Sequence, residues 1–287
     1  MQFWQSLIFS EPGQLLTLAQ LAEGFGYTGV VLPDHVALPE RAASSYPYSE
    51  YELDPRAPFL DPWPAIAAMA AVTTRLRFST YVYILPMRDP FSVAKQAGTV
   101  AMLSGYRFSL GVGAGWLREE LELLGFDPAR RGARMDEMIE VMRRFWSSGE
   151  AEFHGEFYDF DVAGMCPQPT QRIPIWVGGK SRAALRRAAR NDGWLGMNYD
   201  LDEIDRLLVE LGEARRSAAD DGADPARPFE TLVIPNAVPD RDLYARLADK
   251  GVTSTVCMGW DLGSSAAASL AAKRASMEAF AEQFLRP

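Results

Sequence analysis

Short apolar segments alternate with amphipathic segments along the whole chain. The apolar segments are rich in Val, Ile, Phe and Tyr, which is typical of buried β-strands, whereas the segments between them repeat apolar residues at the helical period. The predicted strands cover residues 3–9, 29–32, 76–85, 108–112, 173–177, 193–197, 230–234 and 253–258. The predicted helices cover residues 13–25, 62–73, 90–103, 132–147, 181–191, 201–221, 240–249 and 264–284.

This repeated strand and helix order predicts an α/β protein built as a parallel (β/α)8 TIM barrel. The length of 287 residues is close to the roughly 250 residues of such barrels. No linker rich in Gly, Pro or Ser and no block of charge divides the chain. We therefore expect a single domain over residues 1–287.

Two segments are longer than a barrel connection requires. Residues 38–60, after the second strand, contain several prolines together with Tyr46, Tyr48 and Tyr51, and predict a lid over the barrel mouth. Residues 152–161 alternate aromatic residues around His154-Gly155 and predict a small hairpin before the fifth strand. We expect this hairpin to pack outside the barrel and to take no part in the chemistry.

Charge and composition exclude several classes of function. The formal net charge is −9, which argues against binding to nucleic acid or to an anionic membrane. The chain start lacks the features of a signal peptide and no apolar run is long enough for a membrane helix, so a cytoplasmic location is expected. No Ser-His-Asp order, glycosidase-like carboxylate pair or metal-ligand cluster stands out, which favours chemistry carried by a bound organic cofactor, without a metal.

Residues that follow the barrel strands are candidates for the active site. Asp34 and His35 follow the second strand. Histidine suits proton transfer near neutral pH, and the adjacent carboxylate could orient it or hydrogen-bond a cofactor ring. The alternative is a loop histidine that is hydrogen-bonded and has no catalytic role. Ser79 and Thr80 on the third strand could meet a ring edge, although both are ordinary strand residues.

Glycines follow the next two strands. Gly111, Gly113 and Gly115 alternate at the end of the fourth strand, where glycine could let a ligand approach the backbone or could simply make a tight connection. Gly178 and Gly179 precede Lys180-Ser181 at a predicted helix start. Backbone N–H groups at such a start bind phosphate well, and Lys180 and Arg182 add positive charge, while helix capping by Ser181 is the alternative.

Taken in order, these motifs resemble the bacterial luciferase-like superfamily of flavin- and deazaflavin-dependent oxidoreductases. The loop 34–39, followed by Tyr46-Pro47-Tyr48, resembles most the subgroup that uses the deazaflavin coenzyme F-420. The matching segments are residues 34–35, 80–86, 94–96, 103–107, 111–116, 131–134, 153–156, 174–179 and 188–194.

The resemblance implies a barrel that binds the flavin or deazaflavin ring at the strand ends, backed by a cis peptide in a bulge of the third strand. His35 aligns with the proton-handling residue. Ala114 stands where the sugar-phosphate dehydrogenases of this family carry a glutamate, so this chain is not expected to use their substrate. The implied cofactor contacts are Asp34, Thr80, Tyr81, Val82, Gly113, Ala114, Gly115, Gly178, Gly179 and Lys180.

The function that the resemblance implies is hydride transfer between coenzyme F-420 and a small organic substrate. One alternative is an FMN-dependent monooxygenase that receives reduced flavin from a separate reductase. The other is a flavin-binding barrel without catalysis. A homodimer formed through barrel helices is also implied.

Overall fold

The computed structural model of this protein describes residues 1–48, 54–258, 260 and 269–286. Its strands are β1 (Gln2–Ser6), β2 (Gly29–Leu32), β3 (Arg77–Thr80), β4 (Tyr83–Ile84), β5 (Phe108–Gly113), β6 (Glu150–His154), β7 (Asp159–Gly164), β8 (Ile175–Gly178), β9 (Gly193–Tyr199), β10 (Glu230–Pro235) and β11 (Ser254–Cys257). Its α-helices are α1 (Leu15–Phe25), α2 (Pro62–Ala71), α3 (Pro90–Leu103), α4 (Arg118–Leu123), α5 (Arg131–Ser148), α6 (Arg182–Arg190), α7 (Leu201–Asp220), α8 (Arg241–Asp249) and α9 (Leu270–Phe284).

The parallel strands close into a barrel, which confirms the predicted (β/α)8 fold. β1 pairs with β2 on one side and with β11 on the other, and β3 pairs with β5 to complete the ring. Inside the barrel, the fully buried rings of Trp4 and Trp176 meet edge to face with centroids 5.6 Å apart. Aromatic pairs of this kind contribute about 1 kcal/mol beyond the area they bury. The interior of the barrel is therefore packed with side chains. The barrel is open towards the carboxyl ends of its strands, where a cavity lies.

The third barrel strand is interrupted. The peptide between Tyr81 and Val82 is cis, and the strand continues beyond it as β4, which also pairs with β5. The structure confirms the cis peptide in a bulge of the third strand that the resemblance implied. The continuous strand predicted over residues 76–85 is therefore split into β3 and β4.

The hairpin of β6 and β7 packs on the outer surface of α5, where Phe145, Ala151 and Phe153 form a small apolar cluster. This confirms the predicted position outside the barrel. Helix α4 was not predicted from the sequence. The predicted final helix began at residue 264, but residues 264–268 lie outside the described part of the chain, and α9 begins after the capping side chain of Ser269.

The described helices include none that is long and apolar enough to cross a membrane.

Candidate active site

A cavity of about 530 Å³ opens at the carboxyl ends of the barrel strands. Segments that follow β1, β2, β3, β5 and β8 contribute to its wall, together with residues of β9, β10 and β11. Ten of the predicted site residues line it, namely Asp34, His35, Tyr81, Val82, Gly113, Ala114, Gly115, Gly178, Gly179 and Lys180. The structure thus brings together residues from most of the chain length at one end of the barrel.

Thr80 is the exception among the predicted contacts. It is fully buried outside the cavity lining, and its Oγ1 donates to the carbonyl oxygen of Gly111 at 2.6 Å. The neighbouring Ser79 hydroxyl donates to the carbonyl oxygen of Thr80. Both hydroxyls donate to backbone carbonyl oxygens of the barrel strands, and neither residue lines the cavity. The prediction that they contact the edge of a ring is therefore corrected. Backbone carbonyl oxygens of the barrel wall thus satisfy these two hydroxyls.

His35 is held by a residue that the sequence did not single out. Its Nδ1 lies 2.6 Å from Oε2 of Glu120, a fully buried residue on α4. The other oxygen of Glu120 accepts the backbone N–H groups of Val36 at 2.6 Å and Ala37 at 3.1 Å. A carboxylate that accepts from Nδ1 requires a proton on that nitrogen, and in the neutral imidazole this leaves the lone pair on Nε2. In the sequence, only the acidic pair Glu119-Glu120 could have signalled this contact.

Asp34 supports the third strand and does not orient His35. Its Oδ1 lies 2.6 Å from a guanidinium nitrogen of Arg88, and its Oδ2 accepts the N–H of Ile84 at 2.9 Å. Burial raises the pKa of Asp34, while Arg88 and the Ile84 N–H favour its charged form and oppose that rise. The proposed orienting role of Asp34 is therefore corrected, because Glu120 holds the imidazole. Asp34 still lines the cavity.

The glycines of β5 make room for the bulged third strand. A Cβ on Gly111 would lie 2.0 Å from the carbonyl oxygen of Thr80, and one on Gly113 would lie 2.5 Å from Cγ2 of Val82. On β8, a Cβ at Gly178 would lie 2.8 Å from Cγ1 of the same valine. Val82 is thus seated between two glycines and lines the cavity above them. Close contact with a neighbouring strand accounts for these glycines, whatever ligand lies above.

The segment 178–181 forms the start of α6. Gly179 has φ +117°, and the Oγ of Ser181 accepts the N–H of Ala184 at 3.2 Å, so the capping interpretation of Ser181 is confirmed. Lys180 reaches Oε1 of Glu203 at 3.0 Å and lines the cavity. A helix start beside a cationic side chain fits a phosphate group. Phosphate binding there stays a prediction.

The described part of the loop after β2 lines the cavity mouth. Tyr46 donates its hydroxyl to Sδ of Met197 at 2.8 Å and meets the ring of Trp116 at 5.3 Å between centroids. Glu119 of α4 accepts the N–H groups of Ala43 at 2.8 Å and Ser44 at 3.0 Å. These contacts place the loop where a lid was predicted. Tyr51, which was part of that prediction, lies outside the described residues.

Comparison with known proteins identifies the fold and the family. The family model described as luciferase-like monooxygenase matches residues 5–285. The uncharacterized Mycobacterium tuberculosis protein Rv0940c is 45% identical over 244 residues, which cover 84% of this chain and 83% of that protein. The crystal structure of monooxygenase RslO1 from Streptomyces bottropensis has a TM-score of 0.74 at 20% identity and covers 99% of both chains. An F-420-dependent secondary alcohol dehydrogenase in complex with an F-420–acetone adduct has a TM-score of 0.74 at 18% identity, covering 99% of this chain and 98% of its own.

Proposed function

The chain belongs to the luciferase-like monooxygenase family of oxidoreductases, and from this premise we propose that it transfers hydride between the deazaflavin coenzyme F-420 and a small organic substrate. The observation that carries the proposal is the imidazole of His35, held at the cavity by a fully buried carboxylate. Hydride transfer to or from a carbon that bears oxygen also requires a proton to move. A positioned histidine supplies that function.

His35 is the proposed proton carrier. Because Glu120 fixes the proton on Nδ1, the lone pair of Nε2 can take a proton from a substrate hydroxyl. In the reverse direction, the imidazolium returns the proton, and the buried carboxylate stabilises its charge. Among the described residues Nε2 has no hydrogen-bond partner of its own, so it is available to a substrate.

The cavity residues fit a planar ring with a phosphate-bearing tail. Val82, seated between Gly113 and Gly178, offers an apolar surface for the ring. The start of α6, with Lys180, offers N–H groups and a positive charge to a phosphate. Lys180 would exchange its contact with Glu203 for that phosphate. When bound, a deazaflavin supplies hydride chemistry without activation of oxygen.

A flavin monooxygenase is the second candidate. The description of the matching family favours it, and the same apolar surface and helix start also fit FMN. In that case a separate reductase would supply reduced flavin. The two candidates share the ring site and differ in the ligand that binds there more tightly.

A fluorescence titration of the purified protein with F-420 and with FMN, at matched salt, tests the proposal. Micromolar binding of F-420 with much weaker binding of FMN is the expected result, and the reverse preference would favour the monooxygenase. Lys180→Ala should lower the affinity for the cofactor about tenfold. Lys250→Ala, which removes an exposed lysine paired with Asp205, should leave that affinity unchanged. If neither cofactor binds, the protein is a barrel without this chemistry.

A further inference from the structure

Aromatic rings form a connected arc at the mouth of the cavity. Successive centroids lie 5.2, 4.8, 6.2, 5.3 and 5.4 Å apart, and each ring meets the next edge to face. We call this set the aromatic arc; in order, its members are Phe9, Phe59, His35, Trp116, Tyr46 and Tyr48. All six line the cavity.

The aromatic arc is assembled from three separate parts of the chain. Phe9 follows β1, Phe59 and the two tyrosines belong to the loop after β2, and Trp116 follows β5. His35 lies between Phe59 and Trp116, so the proposed proton carrier is part of the same surface. Rings held by their neighbours lose little conformational entropy when a ligand packs against them.

The hydroxyl of Tyr46 in the arc already has a hydrogen-bond partner. The Tyr46 hydroxyl donates to Met197, and burial raises the pKa of Tyr46 well above its usual value, so the group stays neutral. The wall on the side of β10 and β11 is formed by apolar side chains, including Ile234, Val256 and Met258. A ligand that lies here meets apolar side chains on several sides, with the nitrogen of His35 and the polar groups of Asn198 and Tyr199 among the polar atoms of the lining.

Positive charge is scarce in this part of the cavity. Within the described lining, Lys180 lies at the start of α6, where the proposed function assigns it to the cofactor phosphate, and Arg131 donates to the carbonyl oxygens of Gly115 and Pro128. The sequence of residues 49–53, 259 and 261–268 contains no lysine or arginine. With the cofactor phosphate at Lys180, a carboxylate or phosphate on the substrate would lose its water without gaining a further unpaired cation.

We propose that the site selects a neutral, ring-bearing substrate with one reacting carbon–oxygen group, whose oxygen meets Nε2 of His35 and whose ring packs on the aromatic arc. This inference rests on the proposed function. In the oxidative direction, a bound oxidised coenzyme would supply the acceptor for the C–H hydrogen as hydride, and Nε2 of His35 would take the O–H proton, so that the C–O bond becomes C=O. In the reductive direction, the same hydride and proton return to the carbonyl.

Calorimetric titration with two matched probes tests this selection. Acetophenone carries a neutral carbonyl on a phenyl ring, and benzoate carries an anionic carboxylate on the same ring. Both are titrated into the protein alone and into protein saturated with F-420 or FMN, whichever binds. We expect acetophenone to bind at least tenfold more tightly than benzoate in one of these forms.

Two single variants locate the binding surface. Phe59→Ala removes a ring of the arc and should weaken acetophenone binding about tenfold or more, because the ligand loses aromatic contact. Phe91→Ala removes a half-exposed ring on α3 that faces the hairpin and should leave binding unchanged. Equal effects of the two variants, benzoate binding as tight as acetophenone, or binding of neither probe would overturn the inference. Acetophenone binding that survives a failure to bind F-420 would overturn the proposed coenzyme and keep the inferred selection.

Discussion

Replacing Glu120 by glutamine tests the proposed control of His35. The wild-type carboxylate accepts three hydrogen bonds, two from the backbone N–H groups of Val36 and Ala37 and one from His35 Nδ1. The glutamine amide oxygen can keep the two backbone bonds. Its NH2 group would then face Nδ1 and donate to it, which moves the histidine proton to Nε2.

The expected effect follows from these contacts. A hydrogen bond to a charged group contributes about 1.5–3 kcal/mol, so losing the one to His35 corresponds to a factor of about 10 to 150. The altered tautomer also removes the lone pair that takes the substrate proton. We therefore expect Glu120→Gln to lower kcat about a hundredfold or more, with little change in KM or in cofactor affinity.

Steady-state kinetics, cofactor titration and thermal unfolding are measured on the same samples. Together they separate a loss of His35 orientation from a loss of folded protein. Glu122→Gln is the matched control, because Glu122 lies on the same helix with an exposed side chain. If Glu120→Gln kept wild-type kcat, the imidazole would not need this carboxylate. If it lowered kcat only in proportion to lost folded protein, Glu120 would have a structural role alone.

Three further predictions concern single residues. His35→Ala should lower turnover about a hundredfold while cofactor affinity stays within about tenfold, and equal turnover in both proteins would remove His35 from the mechanism. The Ser44 hydroxyl and the N–H groups of Ala43 and Ser44 lower the pKa of Glu119 to about 2, so its stabilising contribution is present above about pH 4.5 and lost as the pH falls towards 2. The thermal stabilities of wild type and Glu119→Gln should therefore converge between pH 5.5 and pH 3, by less than about 1 kcal/mol because Glu119 is partly exposed, and a constant gap would contradict the assignment. Gly113→Ala should lower the free energy of unfolding by about 1–3 kcal/mol because its Cβ would meet Val82, whereas Gly24→Ala, in open space on α1, should not lower it; chemical denaturation that ranks them the other way would refute the packing argument.

The barrel could be predicted from the sequence because its signal is local. Each strand and helix carries its own period of apolar residues, and the strict alternation of the two leaves few architectures. The bulge at Tyr81-Val82 has no such local signal and was expected only from the resemblance to a family. Helix α4 is short, and its acidic residues give no apolar stripe to detect.

Side-chain contacts between distant segments of the chain were the part of the candidate site that was harder to predict from the sequence. The sequence placed Asp34 beside His35 and so suggested that one orients the other. The fold instead turns the Asp34 carboxylate to Arg88 and Ile84 and brings Glu120 to the imidazole from 85 positions away. Neighbours in sequence at the end of a strand point to different sides of it, and contacts between distant segments depend on the closed barrel.

The glycines of β5 illustrate the same difficulty. The alternate glycines at this strand end left two interpretations open, space for a ligand or a tight connection, and Gly113 and Gly115 do line the cavity. Their missing side chains are nevertheless required by Thr80 and Val82 of the adjacent strand. A glycine pattern therefore reports a close approach without saying whether backbone, side chain or ligand makes it.

Helix α4 links the covering loop to the proposed proton carrier. Glu119 holds the backbone of residues 43–44, and the next residue, Glu120, holds His35 and the backbone of residues 36–37. Both carboxylates lie in the first turn of the helix, where the N-terminal dipole favours negative charge. A shift of the loop at residues 43–44 would act on the same short helix that fixes the histidine proton on Nδ1. The position of residues 43–44 and the orientation of the His35 ring thus depend on two adjacent side chains of one short helix.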